Sequence, residues 1–167
     1  DVFPGAAMRV DEDITSAGPE NSSIGPDDED DRLEVLLWVD TFNTYFEPEN
    51  AHAALRVLEA AGYRVRLPTL SGRPPCCGRT FLNAGLVDEA RREARRLVSA
   101  LSPWVERGVP VVGLEPSCLL TLRDEIPMLL PGEESARLAD GSLLLDEFLL
   151  SEAEAGRALL DLGPVEA

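Results

Sequence analysis

Three cysteines carry the most reactive chemistry in this chain, and two of them are adjacent. Cys76 and Cys77 lie in Arg73-Pro74-Pro75-Cys76-Cys77-Gly78-Arg79, and Cys118 follows in Glu115-Pro116-Ser117-Cys118. Neighbouring side chains diverge, so a vicinal pair cannot fill one apolar core together. The two prolines fix the approach of the backbone, and Gly78 permits a sharp turn or a close contact. Vicinal thiols with a distant third match thiolate ligation of a metal or cluster. A single free cysteine is more often a small buried hydrophobe. Cys-Cys-Gly after Pro-Pro favours a site.

The elements that must position these thiols are legible in the apolar pattern. Glu34-Val35-Leu36-Leu37-Trp38-Val39 is a nearly continuous apolar run, as expected of a strand buried on both faces of a parallel sheet. Asp40-Thr41-Phe42-Asn43-Thr44 then reads as a polar loop. A helix follows, with Pro48 in its first turn, Ala51, Ala54, Leu55, Leu58 and Ala61 on its buried stripe, and Gly62 at its end. Tyr63 to Leu67 alternates as a second strand, which completes a right-handed βαβ unit. A loop over Pro68–Gly78 carries the cysteine pair. A long helix from about Leu86 to Leu101 buries Ala90, Ala94, Leu97, Val98 and Leu101. Its wet face is assigned Asp88, Glu89, Arg91, Arg92, Glu93, Arg95 and Arg96, with Asp88 and Arg92 as an i,i+4 pair.

Val109 to Leu114 is a third strand. Ser117 is expected to cap the next helix, with Cys118 in its first turn, where the helix end would favour the thiolate. Pro127 and Pro131-Gly132 are expected to close that helix. Leu143 to Leu150 predicts a packing helix, and Ser151-Glu152-Ala153-Glu154 resembles a capping box before a last one. The expected fold is α/β, an open parallel sheet flanked by helices, with strands at 34–40, 63–67 and 109–115. In such a sheet functional groups collect beyond the carboxyl ends of the strands. Asp40, Cys76-Cys77-Gly78 and Glu115-Pro116-Ser117-Cys118 all meet that description. Cys118 is therefore expected close to the cysteine pair, with Asp40 and Glu115 bordering the same cavity.

Composition narrows the function. The formal charge is −16, which argues against a nucleic-acid partner, and all 15 basic residues are arginine. Residues 1–31 hold ten acidic residues and one arginine without an apolar period, which reads as a flexible, disordered acidic linker; residues 32–167 are one domain. No apolar stretch approaches the roughly 20 residues of a transmembrane segment, and no signal peptide is visible. Three cysteines are too few for a disulfide scaffold, so a cytoplasmic location is expected. The start at Asp1 suggests a fragment of a longer product.

Cys76-Cys77-Gly78 followed by Glu115-x-x-Cys118 resembles the cysteine-rich CCG domain found in heterodisulfide reductases and in glycolate-oxidation iron–sulfur proteins. Asp40 to Asn50, Arg73 to Phe81 and Gly113 to Leu119 are most similar to the C-terminal part of fused FAD-linked D-2-hydroxy-acid dehydrogenases. The resemblance covers roughly Leu33 to Leu150. It implies one repeat of a normally two-repeat domain, an iron–sulfur cluster of the 4Fe-4S kind, and electron transfer within an oxidoreductase acting on D-lactate, glycolate or D-2-hydroxyglutarate. It also implies upstream flavin and ferredoxin-like domains or subunits as partners, which would carry the FAD, and a second cysteine-rich repeat absent from this chain. Such partners would bring the module to the inner face of the membrane. The chain by itself would not be a complete catalyst.

Two departures from the family pattern stand out. The Asp40-Thr41 region occupies the place of the lone cysteine, and Glu115 that of the first cysteine of Cys-x-x-Cys. The implied metal ligands are therefore Cys76, Cys77 and Cys118, with Asp40 and Glu115 as auxiliary oxygen ligands. Two alternatives stay open: a degenerate repeat retained for packing or interaction, and a thiol site holding zinc or a Cys76/Cys77 redox pair. His52, the one histidine, reads as a partly exposed helix residue, and Trp38 and Trp104 as core. No Gly-x-Ser-x-Gly, dinucleotide or phosphate-loop motif occurs.

Overall fold

The structure is a computed structural model that describes residues 32–68 and 73–157. The acidic segment 1–31, the loop positions 69–72 and the segment from 158 onward lie outside the described residues. Four strands form one sheet, β1 (Glu34–Trp38), β2 (Arg64–Arg66), β3 (Val111–Gly113) and β4 (Ser142–Leu144). Their order is β2-β1-β3-β4, and every pairing is parallel. Leu36 lies opposite Val111, and Trp38 opposite Gly113.

Parallel neighbours need crossovers, and helices supply them. Helix α1 (Thr41–Tyr45) and α2 (Pro48–Ala60) lead from β1 to β2. Helices α3 (Arg79–Asn83) and α4 (Val87–Val105) lead from β2 to β3. Helices α5 (Pro116–Arg123), α6 (Glu125–Leu129) and α7 (Glu133–Asp140) lead to β4, and α8 (Leu145–Glu154) follows it. The period-two geometry of β1 divides its apolar run between two cores. Leu36 and Trp38 pack with Leu97 and Leu101 of α4, Leu119 and Leu122 of α5, Ile126, Leu138, Cys77 and Cys118. Val35 and Leu37 pack on the other face with Ala54 and Leu58 of α2, Tyr63, Val112 and Phe148. Burial of both faces explains why the run reads as continuously apolar.

The structure corrects several sequence expectations. The Asp40–Thr44 stretch is a short helix rather than a polar loop, because the Asp40 carboxylate caps it. Glu115, not Ser117, caps α5, and Pro116 takes the first helical position, where a missing N–H costs nothing. Pro127 lies inside α6 and does not close it; it sits in the first turn, before intrahelical donors are needed. Ser142–Leu144 is a fourth strand, so α8 begins only at Leu145, and Ser151–Glu154 is its last turn rather than a new start. The box at the head of α8 comes instead from Glu147, which accepts the Leu144 N–H at 2.9 Å. On α4 the surface pairs are Arg91–Asp88 and Arg92–Glu89, each three residues apart rather than four. Glu93 is buried rather than wet.

Candidate functional site

The three thiols meet at the carboxyl end of the sheet. Cys118 arrives in the first turn of α5, just beyond β3. Gly113 eases this approach: a Cβ there would lie 2.8 Å from Cδ1 of Leu119, so the buried Leu119 side chain would have to shift. Cys77 arrives from the loop before α3. Gly78 turns that loop with a φ of +81°, and a Cβ on it would press on the Ala90 carbonyl and Glu93 Cβ, each at 3.2 Å. Both the left-handed backbone and the tight fit against α4 demand glycine there.

Cys77 and Cys118 are buried, and the Cys77 thiol donates to the Cys118 sulfur at 3.3 Å. Cys76, half-buried, donates in turn to Cys77. The result is a chain of thiols, Cys76 to Cys77 to Cys118. The Cys77 sulfur holds the Cys76 proton, and burial adds to this, so the Cys76 pKa is driven far above the usual thiol range. The backbone N–H of Gly78 and the Thr41 hydroxyl, both aimed at the Cys76 sulfur, oppose the shift. Cys77 is pushed up to about 11, first by its hydrogen bond to Cys118 and then by burial. The bond from Cys76 and the Arg79 N–H pull the other way.

Asp40 is buried, and its oxygens are committed to α1. Oδ1 accepts from the backbone of Phe42 at 2.8 Å and Asn43 at 3.3 Å, and Oδ2 accepts from the Asn43 amide at 2.6 Å. Glu115 is half-buried; its Oε1 accepts from Ser117 N at 3.2 Å and Ser117 Oγ at 2.8 Å. Glu115 borders an open cavity of about 540 Å³ with Phe42, Asn43, Phe46 and Leu144. Asp40 is sealed against α1 instead of lining that cavity. Thr41 was the least expected member of the site. Its signal was position alone, one residue beyond Asp40 at the end of β1.

The donor set suits a soft metal. Thiolate sulfur is the preferred ligand for iron–sulfur clusters and zinc, and protons leave when such a metal binds. The three sulfurs hydrogen-bond to one another rather than surround a common centre. Among the described residues no group of three or more His, Cys, Asp or Glu side chains is arranged to hold a metal ion. What fits is the chemistry of the sulfurs and the N–H and O–H donors that face them, which would also stabilise thiolates.

No protein-family model matches this chain, and no solved structure does. It is similar to part of several dehydrogenase chains. It is 28% identical over 127 residues to a subunit of the anaerobic glycerol-3-phosphate dehydrogenase of Escherichia coli (strain K12), covering 75% of this chain and 31% of that protein. It is 30% identical over 116 residues to D-2-hydroxyglutarate dehydrogenase of Pantoea ananatis (strain AJ13355), covering 70% of this chain and 11% of that one. The Escherichia coli (strain K12) D-2-hydroxyglutarate dehydrogenase matches at 27% over 121 residues, 72% of this chain and 11% of that one. The chain thus spans a third or less of the length of these relatives, and the similarity relates it to oxidoreductases. Among the described residues no helix is long and apolar enough to cross a membrane.

Proposed function

We propose that this chain is an electron-transfer module of a larger FAD-linked oxidoreductase acting on 2-hydroxy acids. In this reading Cys76, Cys77 and Cys118 hold an iron–sulfur cluster of the 4Fe-4S kind, and the domain is one cysteine-rich CCG repeat. The observation that carries it is the contact between Cys77 and Cys118, made where the loop before α3 and the first turn of α5 converge at the carboxyl end of the sheet. A cluster supplies one-electron transfer when bound. The chain's own residues then have separate tasks. The thiols give up their protons to bind; Gly78 N–H, Arg79 N–H and the Thr41 hydroxyl direct partial positive charge at the sulfurs. Glu115, half-buried and less committed than the buried Asp40, is the more accessible source of an auxiliary oxygen ligand. Asp40 could serve as one only by giving up bonds to α1.

The dehydrogenase relatives support the oxidoreductase class, and their greater length supports assembly with flavin and ferredoxin-like domains and a second cysteine-rich repeat, in the cytoplasm or at the inner face of the membrane. The test is redox titration of the chain after anaerobic reconstitution with iron and sulfide. Reversible bleaching by a chemical reductant, restored by an oxidant, is expected. A second reading, a repeat that binds no cluster, is favoured by the mutual hydrogen bonding of the thiols and by the commitment of Asp40 to its helix. A reconstituted chain with no redox-active absorption would decide for it.

A further inference from the structure

We infer that Glu93 and Arg96 of α4, with Trp38 of β1, form a clamp that positions the Cys76–Cys77 loop, an inference that rests on reading those thiols as metal ligands. Pro74 and Pro75 have no N–H, so this stretch cannot join a backbone ladder, and its carbonyls need other donors. Side chains supply them at three consecutive residues. Arg96 donates to the Arg73 carbonyl and, at 3.3 Å, to the Pro74 carbonyl. Trp38 Nε1 donates to the Pro75 carbonyl at 3.3 Å. The next residue is Cys76.

Glu93 ties the two ends of this loop together. Its Oε1 pairs with the Arg73 side chain, immediately before the prolines. Its Cβ lies 3.2 Å from where a Gly78 Cβ would stand, immediately after the cysteines. The carboxylate is buried, and Oε2 has no hydrogen-bond partner; Arg96 stands 3.7 Å away, at ion-pair range only. A buried charge is costly unless it is paired, so Glu93 and the two arginines are mutually dependent. One carboxylate thus braces both arginines. Arg96 holds the carbonyls ahead of Cys76, and Cys77 is left pointing into the core beside Cys118. These residues act through the loop and are positioning residues. None of them is a ligand.

The experiment uses the full chain with Arg96→Ala, Arg96→Lys and Glu93→Gln. Three readouts are taken: thermal unfolding midpoint, alkylation rate of Cys77 in the metal-free chain by mass spectrometry, and iron bound after anaerobic reconstitution. Loss of a charge-assisted bond shifts local loop opening by roughly tenfold, so Cys77 labelling should rise about tenfold in Arg96→Ala. Iron binding should fall, Arg96→Lys should recover part of both, and the unfolding midpoint should drop modestly as Glu93 loses one of its two partners, so labelling is measured well below it. Should Arg96→Ala fail to fold, Glu93→Gln, which keeps the shape and removes the charge, gives the same reading. Unchanged Cys77 labelling in a folded variant overturns the clamp, whatever the iron result. A wild-type chain that takes up no iron overturns the metal reading beneath it, and the labelling rates still decide for or against the clamp.

Discussion

Cys77 and Cys118 are 41 residues apart in sequence, yet their sulfurs lie 3.3 Å apart. Neither the loop that carries Cys77 nor the helix that carries Cys118 could achieve this alone. Gly78 lets that loop turn against α4, and Gly113 eases the approach of α5 to the end of β3. In the metal-free chain the Cys77 thiol is held protonated by its hydrogen bond to the Cys118 sulfur and by burial, which makes Cys77 a poor nucleophile at neutral pH. Its alkylation rate should therefore climb toward pH about 11 rather than level off in the ordinary thiol range. Cys118→Ala removes the acceptor and should bring that titration down. Rate measurements across pH, resolved by mass spectrometry, check both.

Gly78→Ala should destabilise the fold by about 1–3 kcal/mol. The left-handed backbone costs a Cβ-bearing residue roughly 1–2 kcal/mol, and the contact with Ala90 and Glu93 adds crowding. Urea unfolding measures it. A midpoint equal to that of the wild type would show that the loop can relax without loss.

Asp40→Ala should cost about 1–3 kcal/mol, because it removes a cap and strands the buried Asn43 amide. Asp40→Asn keeps an acceptor for the cap and should fall between. Equal unfolding midpoints for the two variants would contradict the assignment of both oxygens.

Acid stability should depend on Glu152. Its pKa is lowered, first by the hydrogen bond from Arg157 and also by that from Tyr63, against an opposing contribution from burial. The Tyr63 hydroxyl donates to it at 2.6 Å. A carboxyl depressed in the folded state adds stability above its unfolded pKa and loses it as pH falls through the folded one. Wild-type stability should therefore decline below the ordinary glutamate value, and Glu152→Gln should flatten that decline. Urea midpoints between pH 3 and 7 report the difference.

The sheet was largely legible because β1 is buried on both faces and Gly62 and Pro48 mark the ends of α2. The fourth strand was not, since Ser142-Leu143-Leu144 runs directly into the apolar residues of α8 and no turn residue separates them. Helix α7 was missed for want of a long apolar period. The convergence of the cysteines at one end of the sheet followed from placing each of them beyond the carboxyl end of a parallel strand. The thiol chain did not, because it depends on the path of a proline loop. Glu93 was misplaced because it shares the charged pattern of its neighbours on α4. Only the fold reveals that a loop covers that part of the helix.

In the proposed function the three cysteines act as one metal-binding unit. The direct measurement is iron and acid-labile sulfide per chain after anaerobic reconstitution, with the visible spectrum, for the wild type and the Cys76→Ser/Cys77→Ser/Cys118→Ser variant. Bound iron, bound sulfide and broad visible absorption are expected in the wild type, all lost in the triple variant. A wild type that binds neither, or a triple variant that binds as much as the wild type, would contradict the proposed function.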